Sequence, residues 1–136
     1  MKAILGIGLA LAVATAPAAA WAYRASNWLV VNSVGGDTFE VISSAGTSPA
    51  QFWCAAGEYA FRRLGAASNQ RIYLSRARGS SQSAPGRTAV TFSLTPPAGV
   101  DTEAAKGITL STTRIGDNLS TAFATQYCYD DRVLDF

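Results

Sequence analysis

Two cysteines, Cys54 and Cys128, are the most reactive side chains of this chain, and their spacing decides their chemistry. They lie too far apart for a Cys-x-x-Cys redox pair. The sequence has no histidine, so a zinc site has little to draw on. Two cysteines allow one intramolecular pairing, and a disulfide is the expected use of both in an exported chain. Closing a loop of about 75 residues stabilises by roughly 4 kcal/mol when chain entropy is the source.

The missing histidine also removes Ser-His-Asp and Cys-His nucleophile systems. No Gly-x-Ser-x-Gly elbow occurs among the serines. A Ser-Lys pair has only Lys106 to use beyond the N-terminal segment, in a stretch that reads as a loop. A carboxylate-based glycan hydrolase needs two acids held across a cleft. Asp130 and Asp131 form a candidate acidic site, with Glu58, Glu40 and Asp117 elsewhere. Adjacent residues of an extended tail point to opposite sides, so Asp130 and Asp131 are not such a pair by themselves. The Asp130-Asp131-Arg132 run also lacks the alternating oxygen ligands of a calcium loop.

Arginine supplies a candidate anion or partner site. Arg71, Arg76, Arg78 and Arg87 fall on one hairpin, whose tip, residues 79–86, is rich in Gly and Ser. Backbone N–H groups at such a tip and nearby guanidinium groups suit a phosphate, a sulfated sugar or an acidic protein. Equally, arginines at a strand end discourage edge-to-edge pairing. The tip is not a Walker loop, since no Gly-Lys-Ser/Thr follows. Without aromatic residues it is no platform for stacked bases. Trp28, Phe52, Trp53, Tyr59, Tyr127 and Tyr129 can form a sugar or peptide platform, or simply pack beside the cystine. Phe52 and Tyr59 are the ones expected off the core face. Asn118-Leu119-Ser120 matches a glycosylation sequon, read as accidental.

The element that must position Cys54 is the best-signalled helix, within residues 48–65. Ser48 and Gln51 form a capping box, with Pro49 at the first helical position. Arg62 and Arg63 suit the last turn, and Gly65 the left-handed residue beyond it. At about 100° per residue, Trp53, Cys54, Ala56, Gly57, Ala60, Phe61 and Leu64 share a broad apolar face, with Glu58 and Arg62 opposite.

Residues 28–34 and 38–43 are β-rich around Gly35-Gly36-Asp37, which predicts a hairpin. A turn at Gly35-Gly36 pairs Val30 with Val41; one at Gly36-Asp37 pairs Val34 with Phe39. Residues 71–78 and 88–95 predict a second hairpin. Its later strand sends Val90, Phe92 and Leu94 to the core and Thr91, Ser93 and Thr95 to solvent. A fifth strand is expected over 108–112, one helical turn over 102–106, and a short helix over 119–125 capped by Asp117 or Asn118.

Lys2, the apolar run from Ile4 to Ala14 and Ala20-Trp21-Ala22 read as a leader cleaved after residue 22. The expected mature chain, 23–136, is one domain. The whole chain has eleven Lys and Arg against nine Asp and Glu, and losing Lys2 leaves ten against nine, a net of +1. That balance argues against bulk binding to nucleic acid or anionic membrane. The expected fold is α+β: an antiparallel sheet of about five strands, two hairpins plus one, with a main helix on one face, a short C-terminal helix and one disulfide. No cofactor or metal is implied. The expected function is an exported, periplasmic or secreted, non-catalytic interaction module, bound to an envelope protein or polysaccharide and without a membrane anchor after cleavage. The alternatives are the glycan hydrolase, and a rigid structural or inhibitory domain that presents residues 79–86.

Overall fold

The local signals of the chain resolve into elements in a computed structural model, which describes residues 6, 8, 10 and 22–130. Most of the expected leader, and Asp131 with the rest of the C-terminal tail, lie outside the described residues. In chain order the elements are β1 (Tyr23–Arg24), β2 (Val30–Gly35), β3 (Thr38–Ile42), α1 (Pro49–Arg62), β4 (Arg71–Ser80), β5 (Thr88–Ser93), β6 (Asn118–Ser120) and α2 (Thr121–Asp130). The strands form one antiparallel sheet in the order β1-β2-β3-β5-β4-β6. This is the expected α+β architecture, with six strands among the described residues.

The first hairpin turns at Gly36-Asp37, where Gly36 takes a φ of 55° and Gly35 opposes Thr38. The ladder then slips by one residue between Ser33 and Gly35, so Ser33, not Val34, opposes Phe39. That bulge brings Val31 opposite Val41, and both are buried. Without the slip the strand would present its other set of side chains to the core.

Helix α1 begins as its caps dictate. Gln51 N donates to Ser48 Oγ (3.3 Å), and Ser48 N donates to Gln51 Oε1 (2.8 Å). At the other end Gly65 is left-handed (φ 65°), and Ala66 N closes back on Ala60 O at 2.9 Å. The expected single apolar face proves to be two faces. Trp53 and Tyr59 turn to the sheet, with ring centroids 4.9 Å from Phe92 and 4.6 Å from Phe39. Cys54 and Gly57 turn to α2. A Cβ on Gly57 would stand 2.8 Å from Thr125 N and 2.9 Å from Ala124 Cβ, so the two helices meet there backbone to backbone. Burial on two sides explains why every residue from Phe52 to Ala60 is buried. Phe52, Tyr59 and Glu58, expected off the core face, are inside; Phe61, expected in the core, is 58% exposed.

The disulfide forms as expected between Cys54 and Cys128, with Cα atoms 4.9 Å apart. Helix α2 starts two residues later than expected. Asn118–Ser120 is the last strand, and Ser120 Oγ accepts from Phe123 N (3.1 Å), the capping role expected of Asp117 or Asn118. The connection after α1 satisfies other first-turn donors: Thr121 N bonds Gln70 O (2.8 Å) and Ala122 N bonds Ser68 O (3.0 Å). The strand expected over 108–112 does not form. Its residues are tied singly, through Trp53 Nε1 to Ser111 O (2.9 Å) and Arg78 N to Thr112 O (2.9 Å). Ile108 is fully exposed, and without buried alternation there is nothing to hold a ladder.

The face of the sheet away from the helices is also covered, against expectation. Thr91 and Ser93 are buried. Two irregularities in β4, between Leu74 and Arg76 and between Arg76 and Gly79, bend the second hairpin. Its tip then folds over the polar row formed by Asn32, Glu40, Thr91 and Arg76, which oppose one another across four strands.

Candidate functional site

The tip that promised free N–H groups spends them on the protein's own carboxylate. Glu40 is almost wholly buried. It accepts from Ser81 Oγ (2.5 Å), Gln82 N (3.0 Å), Ser83 N (2.8 Å) and Ser83 Oγ. Asn32 Nδ2 holds Ser83 Oγ from below at 2.8 Å. Burial pushes the Glu40 carboxyl up, but these bonds to its charged form outweigh that and hold it below its ordinary value.

The four hairpin arginines are placed separately. Arg71 is committed to Asn118, through Nε (2.9 Å) and Nη2 (2.6 Å) to Oδ1 and through Nη2 to the carbonyl (3.0 Å). Arg76 opposes Thr91 in the polar row. Arg78 stacks on the opposite side, its guanidinium 5.4 Å from the Phe52 ring centroid in α1. Arg87 Nη2 donates to Ser43 O (2.9 Å). Arg71 and Arg78 stand seven residues apart, about 23 Å along an extended strand. Asn118 of the sequon is buried, its amide donating to Thr102 O and Gly116 O at 2.9 Å each.

What the structure gathers instead is a cleft of about 260 Å³ between α1, α2 and the turn after β1. Glu58 lies in it, with its side chain 9% exposed. Ser26 N donates to Glu58 Oε2 at 2.7 Å. The turn that delivers this amide is strained: Trp28 has a φ of 69° and is the only non-glycine with positive φ among the described residues. Its N–H bonds Ala25 O (2.9 Å), and its indole is exposed. On the other side Arg62 Nε stands 3.6 Å from Glu58 Oε1, with its side chain mostly in solvent. Tyr23 lies beside Glu58; burial, then the Glu58 charge, raise its phenol above the ordinary value, and Arg63 sits over its ring. Thr125, the sulfur-bearing Cys128, and the aromatic rings of Phe61 and Tyr129 complete the lining.

A second groove of about 230 Å³ runs along the far flank of α2, between Ile108–Leu110 and the edge-on pair Phe123 and Tyr127 (5.9 Å). Burial raises Asp117 at its floor, opposed by the Asn118 amide and by Arg114. Among the described residues no three acidic or cysteine side chains cluster as a metal site. Asp130 closes α2, and Asp131 lies outside the described residues. Glu58 is the one carboxylate among the described residues that line the first cleft. Helical periodicity places Glu58 opposite the apolar face, whereas the fold buries it. The spacing held the missing signal: Glu58 is four residues from Cys54 and therefore on the cystine side of α1.

No family model, curated protein or solved structure matches the chain.

Proposed function

We propose that this chain is a non-catalytic binding module of an exported protein, and that it engages an envelope component through the α1–α2 flank. One observation carries the reading: Phe61, Phe123 and Tyr129 are each at least half exposed on the two helices that the cystine joins, beside the two clefts. Exposed aromatic rings beside partly desolvated polar groups are the composition of binding surfaces. The disulfide supports export, since such bonds persist in oxidising compartments. Among the described residues no helix is long and apolar enough to cross a membrane. The arginine hairpin is the less suited surface, because Arg71 and Arg87 are engaged within the fold and the tip amides are taken by Glu40.

The test is retention of the oxidised protein on immobilised envelope polysaccharide and envelope protein fractions. Replacing Phe61, Phe123 and Tyr129 together by Ala abolishes retention while the melting temperature holds; replacing Arg76 and Arg78 by Ala leaves it. The reverse pattern moves the binding surface to the hairpin, and no retention of the wild type overturns the reading.

A further inference from the structure

The Glu58 cleft has the makings of a ligand site in its own right, and its chemistry narrows the ligand. A carboxylate whose side chain is nine-tenths buried needs partners for its acceptor positions. Glu58 has the Ser26 amide on Oε2 and the Tyr23 phenol beside it, whereas Arg62 Nε stands 3.6 Å from Oε1, beyond hydrogen-bond length, so two donors meet a carboxylate with about four acceptor positions. Acceptor capacity is therefore left at the cleft wall, beside Arg62, whose side chain is 65% exposed and ends in a guanidinium rich in donors. The acid and the arginine cancel in charge, which disfavours an anion or a cation and favours a neutral ligand carrying both donors and acceptors. Phe61 and Tyr129 add aromatic surface at the rim. The cleft, about 260 Å³, is smaller than the roughly 300–1,000 Å³ of sites that enclose a whole drug-sized molecule. It suits one unit of a longer chain.

We infer that this cleft is a saccharide subsite that takes one neutral sugar residue of a polysaccharide. Glu58 accepts from one ring hydroxyl, Arg62 donates to a neighbouring one, and Phe61 or Tyr129 covers the apolar face of the ring. A lysine side chain would find the carboxylate already facing Arg62, and a phosphate would meet Glu58. The inference rests on the reading that the α1–α2 flank binds an envelope component, and it names that component's chemistry.

Calorimetric titration of the oxidised protein with neutral tetra- to hexasaccharides of the cello-, chito- and malto- series tests it. Binding to at least one series is expected. Glu58→Gln, which keeps an oxygen for the Ser26 amide, weakens that binding at least tenfold. Phe61→Ala, at an exposed position that leaves folding intact, weakens it severalfold. Arg76→Ala does not change it. Absence of binding to every series, or binding that Glu58→Gln and Phe61→Ala both leave unchanged, overturns the inference. If the saccharides fail but an envelope protein fraction is still retained through Phe61, Phe123 and Tyr129, the saccharide assignment falls and the binding-module reading stands. If neither ligand is retained, both fall.

Discussion

Glu40 and Glu58 are the two buried glutamates of the described chain, and they are buried in opposite ways. Glu40 receives donors from Ser81, Gln82 and Ser83, and its carboxylate closes a loop onto the sheet. Glu58 receives one backbone amide, the neighbouring Tyr23 phenol and a distant guanidinium, and it borders open space. A carboxylate desolvated without full compensation is costly, so the first arrangement is structural and the second keeps a capacity for partners. A Gly/Ser loop can look like an anion site in sequence and already hold its anion in the fold.

The largest effect that sharpens the contrast comes from the cystine, which braces the cleft side alone. Cys54→Ser with Cys128→Ser is expected to lower stability by about 4 kcal/mol. In hydrogen exchange, the Ser26 amide and α2 should lose protection before the amides of Gln82 and Ser83. Equal loss in both regions would show that they unfold as one unit.

Glu40→Gln comes next. With its carbonyl kept toward Ser81 and Ser83, Gln leaves the Gln82 amide facing an NH₂ group; the change should cost about 2–3 kcal/mol, read as a denaturant midpoint, with the Gln82 amide becoming exchangeable. The Gly57→Ala variant should cost about 2 kcal/mol, because its new methyl meets the Thr125 backbone amide and has no flexible end to displace. Glu58→Gln should cost less than about 1 kcal/mol, since Gln keeps the acceptor for Ser26. A Glu58→Gln loss equal to that of Glu40→Gln would erase the distinction between the two sites.

Acid provides the mildest test. The folded Glu40 carboxyl lies below its ordinary value, so its contribution is present above the unfolded value of about 4.3 and is lost as pH falls through the folded one. Asp117 has the opposite sign, because its raised folded value makes protonation favour the fold. Thermal melts between neutral pH and about pH 3 should therefore show an acid loss in the wild type that is smaller in Glu40→Gln.

Local chemistry was legible in the sequence wherever partners lie close along the chain. Ser48, Gln51 and Pro49 announce the start of α1, Gly35-Gly36-Asp37 a hairpin without its register, and two cysteines leave one pairing. The bulge at Val34 was not legible, because several registers satisfy the same alternation of apolar residues. Nor was the burial of Thr91, since strand alternation does not reveal that the hairpin's own tip folds over the second face, or that of Ser93, whose hydroxyl donates to Asp37 of the first hairpin turn. Glu40 meets its donors 41 to 43 residues away. The true phase of α1 was hidden because the helix is buried on two sides, which blurs the single apolar stripe that periodicity detects.

The central claim is that the Glu58 cleft is open to a ligand while the Glu40 loop is closed on itself. Amide chemical-shift mapping, with the neutral oligosaccharide series added to the oxidised protein, tests it most directly. The account predicts shifts at Ser26, Glu58, Phe61, Arg62 and Tyr129 and none at Gln82 or Ser83. Shifts confined to residues 76–87, or no shifts anywhere, would contradict it.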